Sequence, residues 1–230
     1  MPMQQMILDI GLPGGPSLSN YFAGPNLAAV EHLSLWVADP NRSGLRSPVP
    51  IYLWGDSGSG KTHLLKAARE ALREQGARAG WLDASIQLPG AFDESWSAIF
   101  LDDVHLYNSQ QQQNAFNWFV HAQTVQRPVI ATGAVAPLAL PLRDDLRSRM
   151  GWGHIFQLQV LTETEQRAVL RKAADARGVF LGDEVMDYML SRFSRDLGHL
   201  MELLELLDGY SLQTKRPITI PLIRSMLENQ

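Results

Sequence analysis

The sequence predicts an α/β protein: a parallel five-stranded sheet with helices on both faces, followed by a small all-α unit. Three observations predict it. Short apolar runs alternate with helix-period segments from residue 50 to residue 132, the pattern of a parallel sheet covered on both sides. A glycine-rich loop, Gly55-Asp-Ser-Gly-Ser-Gly-Lys-Thr62, joins the first of these strands to the helix after it. Beyond Leu161 the pattern is helical to the end. A chain of 230 residues, 45% of them hydrophobic, has enough apolar surface for a large core.

Residues 1–10 form a leader, and Gly11-Leu-Pro-Gly-Gly-Pro16 sustains neither helix nor strand, so residues 11–16 act as a flexible linker. Residues 17–161 then make the α/β core, opening with an amphipathic helix over 27–38 and a turn-rich break over 39–50. The five strands are expected at 50–54, 79–83, 98–101, 129–132 and 155–160, the last closing the sheet. Helices are expected at 63–74 and 114–124, with a short one at 144–149 after the break at 137–141. The glutamines at 110–113 read as a polar helix start or a loop. Residues 162–230 form a helical lid. Thr162 and Glu165 have capping-box spacing, Gly178 ends that helix, Asp183 caps the next, and Pro221 suits the first turn of the last.

Composition excludes several functions. With 20 Lys+Arg against 24 Asp+Glu the net charge is -4, which argues against direct, specific DNA binding held by phosphate contacts. There is no cysteine, so disulfides and thiolate metal sites are out, in keeping with a reducing cytoplasm. No stretch has the roughly 20 apolar residues of a membrane span, and the first residues do not read as a secretion signal. The expectation is a cytoplasmic protein without a membrane partner.

The loop carries the chemistry. Gly55, Gly58 and Gly60 let the backbone fold its amides inward around phosphate oxygens, with Asp56, Ser57 and Ser59 filling the remaining positions and His63 following in the helix. Lys61 reaches β- and γ-phosphates, and the Thr62 hydroxyl ligates magnesium. The alternative is a plain glycine turn before a helix. Some 40 residues on, Ala98-Ile-Phe-Leu101 ends in Asp102 and Asp103. Asp102 would hold magnesium through its water shell and Asp103 would polarise a water, unless the pair is a solvated turn. Thr132 at the end of the next strand would sense the γ-phosphate, or it is an ordinary β-branched residue. Together these residues point to ADP or ATP with Mg2+.

The order of this loop, the Asp102–Asp103 strand end, Thr132, the segment Leu146-Arg-Ser-Arg-Met-Gly-Trp-Gly153 and the lid segment Ser194-Arg-Asp-Leu197 resembles the AAA+ ATPases of the DnaA family over residues 17–228. The resemblance implies that Arg149 projects into a neighbouring subunit's nucleotide site and that Arg195 contacts the phosphates of its own. Otherwise Arg149 caps a helix and Arg195 pairs with Asp196 or Glu202. Tyr21 and Phe22, in Tyr21-Phe-Ala-Gly-Pro-Asn26, match the segment that wraps the adenine, or else are core aromatics. Ala134 replaces the acidic residue that follows the strand-end Thr-Gly in many relatives, which puts autonomous hydrolysis in doubt.

Two features separate the chain from the initiators of that family. The expectation is that no DNA-reading domain follows the lid. The leader segment Gln5-Met-Ile-Leu-Asp-Ile10 is similar to peptides that bind the bacterial sliding clamp, with Gln5 first, Met6, Leu8 and Ile10 as apolar anchors and Asp9 between the last two; its alternative is an apolar strand. The combination is similar to the Hda-type regulatory inactivators of DnaA. That implies DnaA and the clamp as partners, with Arg149 acting in trans to stimulate DnaA's ATP hydrolysis. A homodimer stays open. The rival expectation is an autonomous AAA+ ATPase that remodels a replication partner or loads a helicase.

Overall fold

The protein is described by a computed structural model covering residues 15–38, 46–193 and 197–228. Strand β1 (Ile51–Trp54) is followed by β2 (Arg78–Leu82), β3 (Trp96–Leu101), β4 (Val129–Gly133) and β5 (His154–Gln157), all parallel, in the spatial order β2-β3-β4-β1-β5. The five predicted strands are therefore present in one sheet, and β5 lies at its edge. It is shorter than expected and ends before Leu158.

Burial on both faces explains the apolar runs. Ile51 and Leu53 of β1, Phe100 of β3 and Ile130 of β4 face one layer, where they pack with Leu33 of α1 (Leu27–Ala38) and Leu64, Leu65 and Leu72 of α2 (Lys61–Glu74). Tyr52, Ile99, Leu101 and Val129 face the other layer. There they meet Trp118 and Phe119 of α3 (Ser109–Thr124) and Leu146 and Met150 of α4 (Asp144–Met150). The alternation follows from the two-residue side-chain period of a strand. Each such side chain contributes roughly 1.5–3 kcal/mol when fully buried, so β1 is anchored from both sides.

The lid consists of α5 (Glu163–Ala176), α6 (Asp183–Arg192), α7 (Leu197–Thr214) and α8 (Ile220–Glu228) around its own core of Leu170, Met186, Met189, Leu200, Leu204 and Ile223. The expected capping box is present. Thr162 Oγ1 accepts from the Glu165 amide at 3.3 Å, and Glu165 Oε2 accepts from the Thr162 amide at 2.8 Å. Gly178, at φ +68°, ends the chain's path out of α5, as expected. Asp183 does not cap α6: Gly182 holds that position without a side-chain bond, and the Asp183 carboxylate accepts from Arg171 instead. Among the described residues no helix is long and apolar enough to cross a membrane.

Helix α3 starts five residues before the expected 114, because Asn108 and Gln111 form a second capping box with both bonds at 2.9 Å. The glutamine run is thus the first turn of a helix. Gln111 is buried, and its amide nitrogen also donates to the carbonyls of Ala84 and Ile86, both at 3.0 Å, pinning the loop after β2. Replacing it with an apolar isostere leaves these buried groups unmatched. We expect Gln111→Leu to lower stability by about 2 kcal/mol in urea denaturation, whereas Gln110→Leu on the exposed side changes it by less than about 0.5 kcal/mol.

Candidate nucleotide site

The loop after β1 takes a path that side chains obstruct. Gly55, Gly58 and Gly60 have φ of +153°, +79° and +86°. A Cβ on Gly55 would lie 2.2 Å from the Leu158 carbonyl oxygen, and one on Gly60 would lie 2.5 Å from the Tyr21 ring. Helix α2 begins at Lys61 with no side-chain cap, so its first amides are left for an anion. Ser59 Oγ is buried and has no hydrogen-bond partner among the described residues, an unmet donor inside the loop. Lys61 is nearly buried, and its ammonium donates to the carbonyls of Gly55 at 2.7 Å and Asp56 at 2.9 Å, covering the loop with its charge.

Beside the loop, at the C-terminal ends of β3 and β4, lies a compact acidic centre. Asp102 Oδ1 accepts from Thr132 Oγ1 at 2.7 Å and from Thr62 Oγ1 at 3.1 Å. The Asp103 amide donates to Thr132 Oγ1 at 2.8 Å. Asp102 is 6% exposed, and burial pushes its carboxyl above the usual aspartate range, with the neighbouring Asp103 charge adding to the effect and the bond from Thr132 opposing it. Asp103 is one of three non-glycine residues at positive φ among the described residues, at +47°, a conformation that costs on the order of 1–3 kcal/mol and concentrates at functional turns. The structure thus brings Lys61, Thr62, Asp102, Asp103 and Thr132 together at one end of the sheet.

The segment ahead of α1 closes over the loop. Tyr21 donates its hydroxyl to the Ser59 carbonyl at 2.9 Å, and its ring lies 5.5 Å from that of His63. Burial holds the His63 imidazole below its ordinary value, opposed by the bond to the Ser17 carbonyl. Asn26, which no local pattern marks as a site residue, is 3% exposed. Its amide nitrogen donates to the Tyr21 hydroxyl and to the Gln159 carbonyl, both at 3.0 Å, and its oxygen accepts from the Gln159 amide at 2.8 Å. One side chain therefore joins the loop cover to the segment that leads into the lid. Phe22 is half-buried and packs beside Gly24, whose hypothetical Cβ would lie 3.1 Å from the ring.

Arg149 stands apart from this centre. It lies in the last turn of α4, just before β5, whose first residue His154 is level with Ile51 at the start of β1. Gly55 follows the end of β1, so roughly 13 Å of strand separates the two levels. The neighbouring arginines are neutralised, Arg143 by Asp145 and Arg147 by Asp144. Arg149 forms no ion pair among the described residues; it donates to the Asp145 carbonyl at 2.8 Å and lies over the rings of Phe116 and Trp152. Trp152 lies three residues from Arg149, a spacing at which side chains meet at a helix end, whereas Phe116 is distant in sequence. Gln5, Met6, Leu8, Asp9, Ile10 and Arg195 lie outside the described residues.

Comparison with known proteins gives concordant relatives. A family model for the lid domain of Hda matches residues 163–227. An uncharacterized protein of Haemophilus influenzae is 32% identical over 240 aligned residues, covering 97% of this chain and 98% of its own. Among solved structures, domain III of the Thermotoga maritima replication initiation protein DnaA superposes with a TM-score of 0.72 at 19% identity, covering 100% of this chain and 98% of that one. AMPPCP-bound DnaA from Aquifex aeolicus gives 0.65 at 23% identity, covering 86% of this chain and 66% of that one. The Thermotoga maritima RuvB Holliday junction branch migration motor gives 0.63 at 19% identity, with 93% and 71% covered.

The acidic centre makes a prediction with a defined sign. A carboxyl whose folded pKa is raised costs stability at every pH above that value, because only the folded state resists its ionisation. Asn at 102 keeps the acceptor for Thr62 and Thr132 and removes the buried charge. We expect Asp102→Asn to raise the melting temperature of the nucleotide-free protein at pH 7. The gain should shrink as pH falls toward the ordinary aspartate value of about 3.9. A variant that melts lower than the parent at pH 7 would show that the charge is compensated within the fold.

Proposed function

The chain belongs to the DnaA/Hda-like AAA+ proteins, and from that premise we propose that it regulates replication initiation by stimulating ATP hydrolysis on DnaA. The observation that carries this reading is Arg149, a partly exposed guanidinium in the last turn of α4, ahead of the edge strand β5, that forms no ion pair among the described residues. A finger in this position serves another subunit's site better than its own. Its planar fork donates to equatorial oxygens of a transferring phosphoryl group and offsets the charge that builds there.

The chain's own site fits an adenine nucleotide with magnesium. The unmet Ser59 hydroxyl, the uncapped start of α2 and the glycine path of the loop suit a polyphosphate. Lys61 would exchange its two carbonyl acceptors for phosphate oxygens, and Arg195 would approach from the lid. Thr62 and Asp102 would hold the metal between them, directly and through water, with Asp103 and Thr132 beside it. Magnesium, when bound, neutralises phosphate charge and with it the penalty on the buried Asp102. Tyr21 and Phe22 would meet the base, and through Asn26 the same segment would set the lid; bound ADP is then structural, fixing the frame from which Arg149 projects.

Residues 5–10 would tether the protein to the sliding clamp, Gln5 setting the register and Met6, Leu8 and Ile10 entering an apolar pocket. Tethering raises local concentration near DNA without adding chemistry. A second reading, an autonomous ATPase that remodels a replication partner, draws on the assembled Thr62–Asp102–Thr132 centre. It requires steady turnover by this protein alone, abolished by Asp103→Asn, whereas the regulator needs none.

In a steady-state assay of DnaA's ATP hydrolysis with loaded clamp, Arg149→Ala is expected to retain ADP binding and fold but to lose about 10³-fold or more of the stimulated rate. Stimulation retained by Arg149→Ala would refute the trans assignment.

A further inference from the structure

Arg143, just before α4, and Arg147, on it, are each paired with a carboxylate, and Arg143 also lies over the Phe116 ring at 4.9 Å. Arg149 is held differently. Its guanidinium carbon lies 4.6 Å from the ring centroid of Phe116 on α3 and 5.4 Å from that of Trp152 just past α4. One Nη1–H donates to the Asp145 carbonyl, and no other hydrogen bond from this guanidinium forms among the described residues. The Asp145 carboxylate, one turn back, is already engaged by both Arg143 Nε and Nη2 at 2.6 and 2.7 Å.

Trp152 is braced for this position although it is 47% exposed. Its ring meets the buried Phe119 edge-on at 6.4 Å and 79°. The next residue, Gly153, turns at φ +83° against the Pro50 carbonyl, where a Cβ would come within 2.3 Å. Helix α4, the turn and the start of β1 therefore fix where the indole stands. A large, half-exposed aromatic tied down on one side is otherwise unexplained by the core.

We infer that Trp152, with Phe116, is a positioning residue for Arg149, holding the guanidinium by its π-face so that its N–H edge is kept ordered and unspent for a phosphoryl group on the partner. A carboxylate partner would bind the same donors and neutralise the charge that the partner's site needs. An aromatic face attracts the cation through its quadrupole and leaves the edge donors free. It also removes rotamer freedom that Arg149 would otherwise lose on docking, so the group arrives pre-ordered. The inference rests on the trans role proposed for Arg149.

The test titrates each variant of the full chain against DnaA with loaded clamp and separates maximal stimulated rate from half-saturating concentration. Trp152→Ala and the bulkier, non-aromatic Trp152→Leu should both lower the maximal rate about tenfold, the order expected of one partly desolvated cation–π contact, with little change in half-saturation. Trp152→Phe, which keeps a π-face, should recover most of the rate. In the free protein, NMR should find Arg149 side-chain protons shifted upfield by ring currents, a shift kept in Trp152→Phe and reduced in the Ala and Leu variants. Unchanged maximal rates in both non-aromatic variants, a raised half-saturation at unchanged maximum, or no ring-current shift in the parent protein would each overturn positioning. If instead Arg149→Ala still stimulates, the trans role itself fails; Arg149→Ala inactive beside fully active Trp152→Leu sinks only the cradle.

Discussion

The backbone path from Gly55 to Gly60 is the constraint from which the rest of the structure follows. Three glycines at positive φ turn the chain between β1 and α2, and the space a side chain would need is taken by the Leu158 carbonyl on one side and the Tyr21 ring on the other. Strand β1 lies inside the sheet, between β4 and the edge strand β5, and this holds the loop at a fixed place. The same position brings Thr62 against Asp102 from β3 and, through it, Thr132 from β4. Parallel strands deliver their C-terminal ends to one edge, which is why a site can be assembled there from residues 70 positions apart.

Polar groups at this edge are matched in an uneven way. The Asp102 carboxylate is buried and accepts from two hydroxyls, while Lys61 spends its charge on carbonyls of the loop. Both arrangements are tolerable in isolation and both improve with an anion and a divalent cation between them. Ahead of the edge strand β5, Arg149 forms no ion pair among the described residues, although its charge acts on Asp145. Arg143, Arg147, Arg167 and Arg171 are paired with aspartates, whereas Arg149 lies over two rings.

Much of this was legible from residue order. Strand and helix alternation, the glycine loop, the strand-end Asp102–Asp103 and Thr132, the Thr162–Glu165 box and the helical lid all depend on local spacing, and all are where spacing puts them. What escaped is long-range. Asn26 joins Tyr21 to Gln159 across 133 positions, and no periodicity marks an asparagine that will be buried. Gln111 looked like part of a polar tract because three of its neighbours are glutamine; its burial comes from the loop after β2 folding over it. Asp183 was expected as a cap from its type and place, but the helix began one residue earlier and Arg171 on α5 took the carboxylate. Phe116 joins Arg149 only because α3 and α4 pack side by side.

On this reading the amides of residues 55–61 enclose a polyphosphate. Calorimetric titration of the full chain with ADP in the presence of magnesium tests it most directly. Saturable heat at one site per chain is expected, weakened when magnesium is removed and absent when Gly60 is replaced by valine. No heat with ADP or ATP, or undiminished binding in Gly60→Val, would contradict it.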